Sequence, residues 1–172
     1  MFQDEARFGC INTTRRCWAP GGVRPQTGLQ FVREYTYVFA AVAPHDGTLH
    51  SLILPSVDAQ AMSIFLAEVS RRHPDERILM VLDGAGWHRA NDLEIPDNID
   101  LIPLPPYSPE LNPAEHLWDE IREKWFANYV FDGLNAVEDR LMPALCTLEQ
   151  DPQRVKSMTA FPWIVTICLT AT

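Results

Sequence analysis

Three acidic residues of this 172-residue sequence hold positions from which they could do chemistry. Asp4 lies in the first predicted strand, Asp83 directly follows the apolar run Ile78–Leu82, and Glu115 follows a proline-rich segment. Carboxylate oxygens are hard ligands that suit Mg²⁺ or Mn²⁺, so acids that a fold brought together could hold such a cation. Asp83 has the most informative position, because ligands of open α/β sheets bind beyond the carboxyl ends of the strands.

Each of these acids also has a structural explanation when it is taken alone. Asp4 could be an exposed acid near the terminus, and Asp83 could be a turn residue, since Asp followed by Gly is common in turns. Glu115 follows Asn112 by three residues, with Pro113 at the first helical position. This is the arrangement of a capping box, in which the glutamate bonds back to the backbone of Asn112. The functional interpretation therefore depends on the three acids acting together.

The elements that would position the acids follow from runs of apolar residues and from the turn residues that interrupt them. The continuous run Ile78–Leu82 is typical of a central strand covered on both faces. Residues Cys10–Trp18 are polar with β-branched members and precede a Pro-Gly-Gly turn, which predicts a hairpin arm. The predicted strands are residues 1–8, Tyr35–Ala43, Leu49–Leu54, Ile78–Leu82 and Ile99–Leu104.

Three helices are predicted from apolar residues at helical spacing. The first begins after an N-cap at Asp58 and ends at His73, before a proline. The second covers Leu111–Trp125, and the third runs from about Gly133 to Leu148. Strands followed by strand–helix alternation predict an α/β fold, with a mixed sheet flanked by helices.

Composition and charge limit the possible partners. Apolar residues make up 47% of the chain, no run is long enough to span a membrane, and the start does not resemble a signal peptide. We therefore expect one soluble, cytoplasmic domain over residues 1–172. The net charge is −9, yet residues 1–34 carry five arginines against three acids. Nucleic-acid-binding proteins usually carry a strong basic surface, so either nucleic acid is not the partner or another polypeptide supplies most of the binding.

A zinc site is not predicted. Cys10 and Cys17 have no second pair of cysteines or histidines at short spacing. We expect both cysteines to act as small apolar residues of the interior. Four cysteines in the whole chain are too few and too scattered for a disulfide framework.

Three sequence blocks occur in order: Gln3–Gly9 (QDEARFG), Val81–His88 (VLDGAGWH) and Leu104–Trp118 (LPPYSPELNPAEHLW). Together they closely resemble the DDE-superfamily endonuclease domain of bacterial insertion-sequence transposases related to the mariner group. The similarity extends over nearly the whole chain, and the third block is long and specific. The resemblance implies a ribonuclease H-like fold over residues 1–172.

The resemblance also implies the activity and the site. It carries over the family's catalytic, metal-binding acids to Asp4, Asp83 and Glu115, one in each block. These residues would hold Mg²⁺ or Mn²⁺, and two such ions about 4 Å apart can activate a water or a 3′-hydroxyl and stabilise the leaving oxygen. The implied reaction is DNA cleavage and strand transfer at the ends of a mobile element.

The implied partners are transposon-end and target DNA, and a second copy of the chain in a homodimer. Members of the family carry N-terminal helix-turn-helix modules. Because this sequence begins three residues before Asp4, we expect those modules to lie outside it, with a separate DNA-binding polypeptide as one source. The expected location is the bacterial cytoplasm, associated with the nucleoid when DNA is bound.

Four further residues are candidates for contacts with DNA phosphates, namely Arg7, Arg15, Arg16 and His88. For the three arginines the alternative is an ordinary solvated edge. For His88 the alternative is a packed or half-exposed side chain beside Trp87.

Other residues near the acids are expected to have supporting roles. Glu5 points to the opposite face of its strand from Asp4, which makes it the poorer ligand. Asp119 shares a helix face with Glu115 and is either an accessory ligand or a solvated, ion-paired acid. Trp118 and its apolar neighbours recur at helical spacing. We therefore expect Trp118 to lie in the buried apolar stripe of a helix rather than in a platform on which bases stack.

The sequence is also compatible with two alternative functions. The chain could be a catalytically inactive or partial transposase fragment that acts only as a partner of a DNA-binding chain. It could also be a different ribonuclease H-like nuclease that acts on RNA or hybrids. The 31 residues between Asp83 and Glu115 are slightly fewer than the resemblance leads us to expect, and residues 89–100 are where we expect the shortening.

Overall fold

The computed structural model describes residues 1–84 and 92–170, with no side-chain description for 167–170. Its sheet has the strand order β3-β2-β1-β4-β5. The first three strands form an antiparallel meander, and β4 and β5 run parallel to β1. The strands are β1 (Phe2–Gly9), β2 (Tyr35–Ala43), β3 (Thr48–Leu54), β4 (Ile78–Leu82) and β5 (Ile99–Pro103). Each predicted strand is confirmed to within one residue at its ends.

Helices flank this sheet, as the α/β prediction requires. They are α1 (Ala59–Arg72), α2 (Glu115–Ile121), α3 (Leu134–Glu149), α4 (Pro152–Thr159) and α5 (Pro162–Thr170). The predicted N-cap is confirmed, because the Asp58 carboxylate accepts a hydrogen bond from the backbone N–H of Ala61 at 2.8 Å. Within the described parts of the chain, no helix is long and apolar enough to cross a membrane.

The sheet has a hydrophobic core on each face. Phe39 of β2 and Met80 of β4 pack with α1 on one face. Ala6 and Phe8 of β1 pack on the other face with Trp118 of α2 and with α3. Because side chains alternate along a strand, Asp4 shares the second face with Ala6 and Phe8.

The prediction of a hairpin arm over Cys10–Trp18 is wrong. Residues 10–34 contain no strand and follow an irregular, exposed path between β1 and β2. The Asn12 amide binds across this segment, donating to the Gly28 carbonyl at 2.8 Å and accepting from the Gln30 N–H at 3.0 Å. A side chain thus takes backbone partners that a β ladder would use.

The prediction that β4 is covered on both faces is also wrong. Leu79 is 52% exposed. The core that contains α2 and α3 lies over β1, β2 and β3 rather than over β4, which leaves one face of β4 partly open.

The helix predicted over Leu111–Trp125 begins later than expected. A 3₁₀ turn covers Pro109–Leu111, α2 starts at Glu115, and the helix continues as a π-helical turn over Arg122–Phe126. The third helix is confirmed as α3, whereas α4 and α5 were not predicted. The cysteine prediction holds for Cys10, which is buried, and fails for Cys17, which is exposed.

Candidate active site

The sheet register brings Asp4 and Asp83 to the same level. Strands β1 and β4 are parallel neighbours, and Phe2 is paired with Val81. Two residues further along each chain segment stand Asp4 and Asp83, the latter just past the end of β4. The two acids therefore lie side by side at one end of adjacent strands, where ligands of such sheets bind.

A buried asparagine brings the third acid to the same place. The Asn112 amide donates to the backbone carbonyl of Gln3 at 3.0 Å and accepts from the N–H of Ala114 at 3.2 Å. Gln3 immediately precedes Asp4, and α2 starts at Glu115. The bond therefore fixes the beginning of α2 beside the strand residue that carries Asp4.

The capping-box explanation of Glu115 is wrong. It requires the backbone N–H of Asn112 as the partner of the Glu115 carboxylate. In the structure that N–H donates to the carbonyl of Pro109 at 2.9 Å. The side chain of Glu115 is instead exposed and lines a cavity.

All three predicted acids line this one cavity, whose volume is about 510 Å³. Asp4 is buried, with 9% exposure, while Asp83 and Glu115 are exposed. Asp4 thus lies at the floor and the other two acids at the rim. The remaining wall is formed by Gly84, Leu104, Pro105, Pro106, Tyr107, Ser108, Pro109 and Asn112.

Burial perturbs the acid at the floor most strongly. Burial, with a smaller contribution from the nearby charges of Glu115 and Glu5, raises the pKa of Asp4 from 3.8 to about 7. The indole N–H of Trp118 donates to Asp4 Oδ2 at 2.7 Å, which lowers the pKa but does not offset the burial. Asp4 is therefore a carboxyl group that a nearby positive charge would stabilise in its ionised form.

The donor chemistry of the cavity fits a hard divalent cation, because its three acidic side chains are carboxylates and one of them is desolvated. As the side chains stand, no group of three His, Cys, Asp or Glu residues in the described ranges is placed to hold one metal ion. The cavity therefore gathers suitable oxygen ligands without presenting a preformed coordination shell.

The predicted phosphate-binding arginines do not line the acid cavity. Arg7 is exposed and lies over the ring of Tyr35, 4.4 Å from its centroid. Arg15 and Arg16 are exposed and line cavities beyond the Gly9 end of β1. His88 lies outside the described residues.

The supporting acids are also absent from the cavity lining. Glu5 accepts a hydrogen bond from the side-chain amide of Gln3 at 3.0 Å. Asp119 is exposed and does not line the acid cavity. Neither residue joins the group formed by the three predicted acids.

Sequence reasoning missed the contact that Trp118 makes. Its burial was predicted and is confirmed, with 1% exposure. Its hydrogen bond to Asp4 was not predicted. One signal could have indicated a polar partner: a buried tryptophan usually pairs its indole N–H, and Trp118 lies one helical turn after Glu115.

The chain is similar to known proteins both in sequence and in structure. The sequence model of a family described as DDE superfamily endonuclease matches residues 1–138. The uncharacterized protein y4pE/y4sA of Sinorhizobium fredii (strain NBRC 101917 / NGR234) is 38% identical over 130 residues, which is 75% of this chain and 96% of that protein.

Solved structures of the Mos1 transposase share the fold. The Mos1 mariner paired-end complex with Mn has a TM-score of 0.64 and 17% identity, covering 99% of this chain and 54% of that chain. The Mos1 paired-end complex with the left transposon end has a TM-score of 0.59 and 18% identity, covering 92% and 55%. The ribonuclease H-like fold class is thereby confirmed, and this chain spans about half the length of the Mos1 protein.

Proposed function

Because this chain belongs to the DDE superfamily of endonucleases, we propose that it is the catalytic domain of a DNA transposase. Its reaction would be metal-dependent phosphoryl transfer that cuts DNA at the ends of a mobile element and joins strands. The observation that carries this proposal is the single cavity lined by Asp4, Asp83 and Glu115. The Mos1 structures support it, because one of them is a complex with a transposon end.

Asp4, Asp83 and Glu115 are the catalytic residues and metal ligands in this proposal, and the metal is Mg²⁺ or Mn²⁺. Such ions, when bound, activate an attacking oxygen and stabilise the leaving oxygen of a phosphodiester. Mos1 structures have been solved with each of these metals. The raised pKa of Asp4, about 7, favours the same assignment, because a cation beside it would offset the cost of burying its charge.

The chain's own side chains would prepare the site in different ways. Asp4, at the floor, is held through Oδ2 by Trp118, which fixes the orientation of the carboxylate towards a cation. Asp83 and Glu115, at the rim, are exposed and can reach both the cation and an incoming phosphate group. Without a cation these three acids repel DNA phosphates, so a bound metal would favour entry of the scissile phosphate into this cavity.

The proposed macromolecular partners are transposon-end and target DNA. A homodimer and a separate N-terminal DNA-binding polypeptide remain predictions. The net charge of −9 opposes DNA binding by this chain alone. We therefore expect weak binding without sequence preference until a recognition module is supplied. The alternative of an inactive remnant is not favoured, because all three acids are retained at one cavity.

The experiment is a nicking assay on supercoiled plasmid with Mg²⁺ or Mn²⁺ and with EDTA. Wild-type protein is expected to nick only with metal, and Asp83→Asn is expected to fall to the level seen in EDTA. Asp119→Asn is the matched control, because Asp119 is an exposed acid of α2 that does not line the cavity. Equal nicking by wild type and Asp83→Asn would refute the proposal.

A further inference from the structure

A second surface gathers basic side chains around the Gly9 end of β1. Two cavities adjoin there, with volumes of about 880 and 100 Å³, and Arg15 lines both of them. Glu123 is the acidic residue among their lining residues. The basic residues that line them, which we call the basic groove, are Arg7, Arg15, Arg16, Arg122 and Lys124.

The cations of the basic groove lack carboxylate partners. Across the described ranges, none of the five forms an ion pair with a carboxylate. By contrast, ion pairs are formed elsewhere by Arg71 and Arg72 with Glu68 and by Arg77 with Asp100. In a chain with a net charge of −9, unpaired cations on one exposed surface indicate complementarity to an anion outside the chain.

The groove lies at a defined distance from the acid cavity. Helix α2 and its π-helical continuation run beside β1, with Trp118 and Phe126 both packed against Phe8, at centroid distances of 6.3 and 5.0 Å. Glu115 stands at the start of this helix and Lys124 near its end. At about 1.5 Å per helical residue, their positions are roughly 13 Å apart along the axis. For a duplex that lies along α2 and rises about 3.4 Å per base pair, this length would span about four base pairs.

We propose that the basic groove binds the phosphate backbone of the DNA substrate about four base pairs from the bond at the acid cavity. This inference rests on the proposed function, since it takes that bond as the site of reaction. Guanidinium groups bind phosphate oxygens through paired hydrogen bonds. Contacts of this kind position the duplex without reading its sequence. The groove would thus hold the strand over an acidic cavity that by itself repels it.

The test measures how DNA binding depends on salt, with wild-type protein, a fluorescein-labelled duplex and EDTA to prevent cleavage. Arg15→Ala/Arg16→Ala is compared with Arg71→Ala/Arg77→Ala, which removes the same charge from exposed arginines on other surfaces. Log affinity falls as log salt rises, and for the first variant the magnitude of this negative slope should decrease by about 1.8, or about 0.9 for each lost phosphate contact. The control variant should keep the wild-type slope. Lys124→Ala, on a different element, should decrease the magnitude of the slope by about 0.9. This variant covers the case in which the double variant perturbs residues 10–34.

Three results would overturn the inference. One is a wild-type slope for both Arg15→Ala/Arg16→Ala and Lys124→Ala. Another is an equal decrease in the magnitude of the salt slope for the control variant, which would indicate that the slope depends only on the net charge of the protein. The third is a groove variant whose sedimentation coefficient without DNA differs from that of wild type while its DNA binding is unchanged. This result would assign the groove to contact with a second copy of the chain. Failure of the proposed function is distinguishable, because it appears as wild-type protein that does not nick with metal, whatever the binding slopes.

Discussion

The indole N–H of Trp118 donates to Oδ2 of Asp4 at 2.7 Å, and both side chains are buried. The bond joins α2 to β1 at the floor of the acid cavity. It satisfies a buried tryptophan and also holds one oxygen of the carboxylate that we assign as a metal ligand. Hydrogen bonds of this kind orient a metal ligand, and their removal typically costs about 10- to 100-fold in metal affinity.

Replacing Trp118 with phenylalanine should weaken metal binding. The variant keeps an aromatic ring but loses the N–H, so Asp4 Oδ2 loses the hydrogen bond that joins it to α2. We expect the affinity for Mn²⁺, measured by calorimetric titration, to fall by about 10-fold or more. Phe131→Leu is the control, because Phe131 is a buried aromatic residue of the same core and does not line the acid cavity. A Trp118→Phe variant with wild-type Mn²⁺ affinity would show that the hydrogen bond supports the fold but does not affect metal binding.

Asp4 should make the protein less stable as the pH rises. Its pKa is about 7 in the folded protein and 3.8 as an unperturbed group, so between these values the folded state binds more protons than the unfolded state. The free energy of unfolding therefore falls with increasing pH across this window, by up to about 4 kcal/mol from this group.

The check for this prediction is urea unfolding at pH 5, 6, 7 and 8 in EDTA, with wild type and Asp4→Asn. The stability of Asp4→Asn relative to wild type should grow as the pH rises from 5 to 8, because the variant carries no charge to bury. A difference that shrinks with pH would contradict the assignment of the raised pKa to Asp4.

A pair of histidines, His50 and His73, should make the protein less stable as the pH falls. The guanidinium of Arg72 lies 3.1 Å from His50 Nδ1, and arginine can only donate, so Nδ1 accepts. His50 Nε2–H then donates to His73 Nε2 at 2.7 Å, and His73 Nδ1–H donates to Glu76 at 2.9 Å. This arrangement requires a neutral His50. Burial, followed by the charge of Arg72, lowers the pKa of His50 to about 4.

Below pH 6.5 the unfolded state binds the proton that folded His50 excludes. The stability contributed by the neutral histidine is complete above pH 6.5 and is lost as the pH falls towards 4. We expect a loss of about 2 kcal/mol, since partial exposure of the group reduces the full effect. Urea unfolding of wild type and His50→Gln between pH 4.5 and 7 measures it. The variant should lack this part of the pH dependence, and an unchanged profile would count against the neutral His50.

Asn112 should be needed both for stability and for the position of Glu115. Replacing it with alanine removes the bond to the Gln3 carbonyl and leaves that buried acceptor without its donor. We expect a loss of about 1–3 kcal/mol in unfolding free energy, together with weaker Mn²⁺ binding. Asn135→Ala, at an exposed asparagine of α3, is the control and should change neither quantity. Wild-type Mn²⁺ affinity in Asn112→Ala would show that the bond between Asn112 and Gln3 does not position Glu115 for metal binding.

The strands could be predicted because each is an apolar or β-rich segment bounded by turn residues, which is local information. The three acids were identified by resemblance, and the Phe2–Val81 register explains why two of them meet. The Trp118–Asp4 bond joins residues 114 positions apart, so no local pattern encodes it. The path of residues 10–34 was missed for a similar reason, since the Asn12 amide replaces ladder hydrogen bonds with side-chain bonds to Gly28 and Gln30.

The most direct measurement is calorimetric Mn²⁺ titration of wild type and of three single variants, Asp4→Asn, Asp83→Asn and Glu115→Gln, with Asp119→Asn as the control. If the three acids form one metal site, each single variant should lose most of the Mn²⁺ affinity, and Asp119→Asn should bind like wild type. Undiminished binding in any one of the three variants would contradict a site shared by Asp4, Asp83 and Glu115.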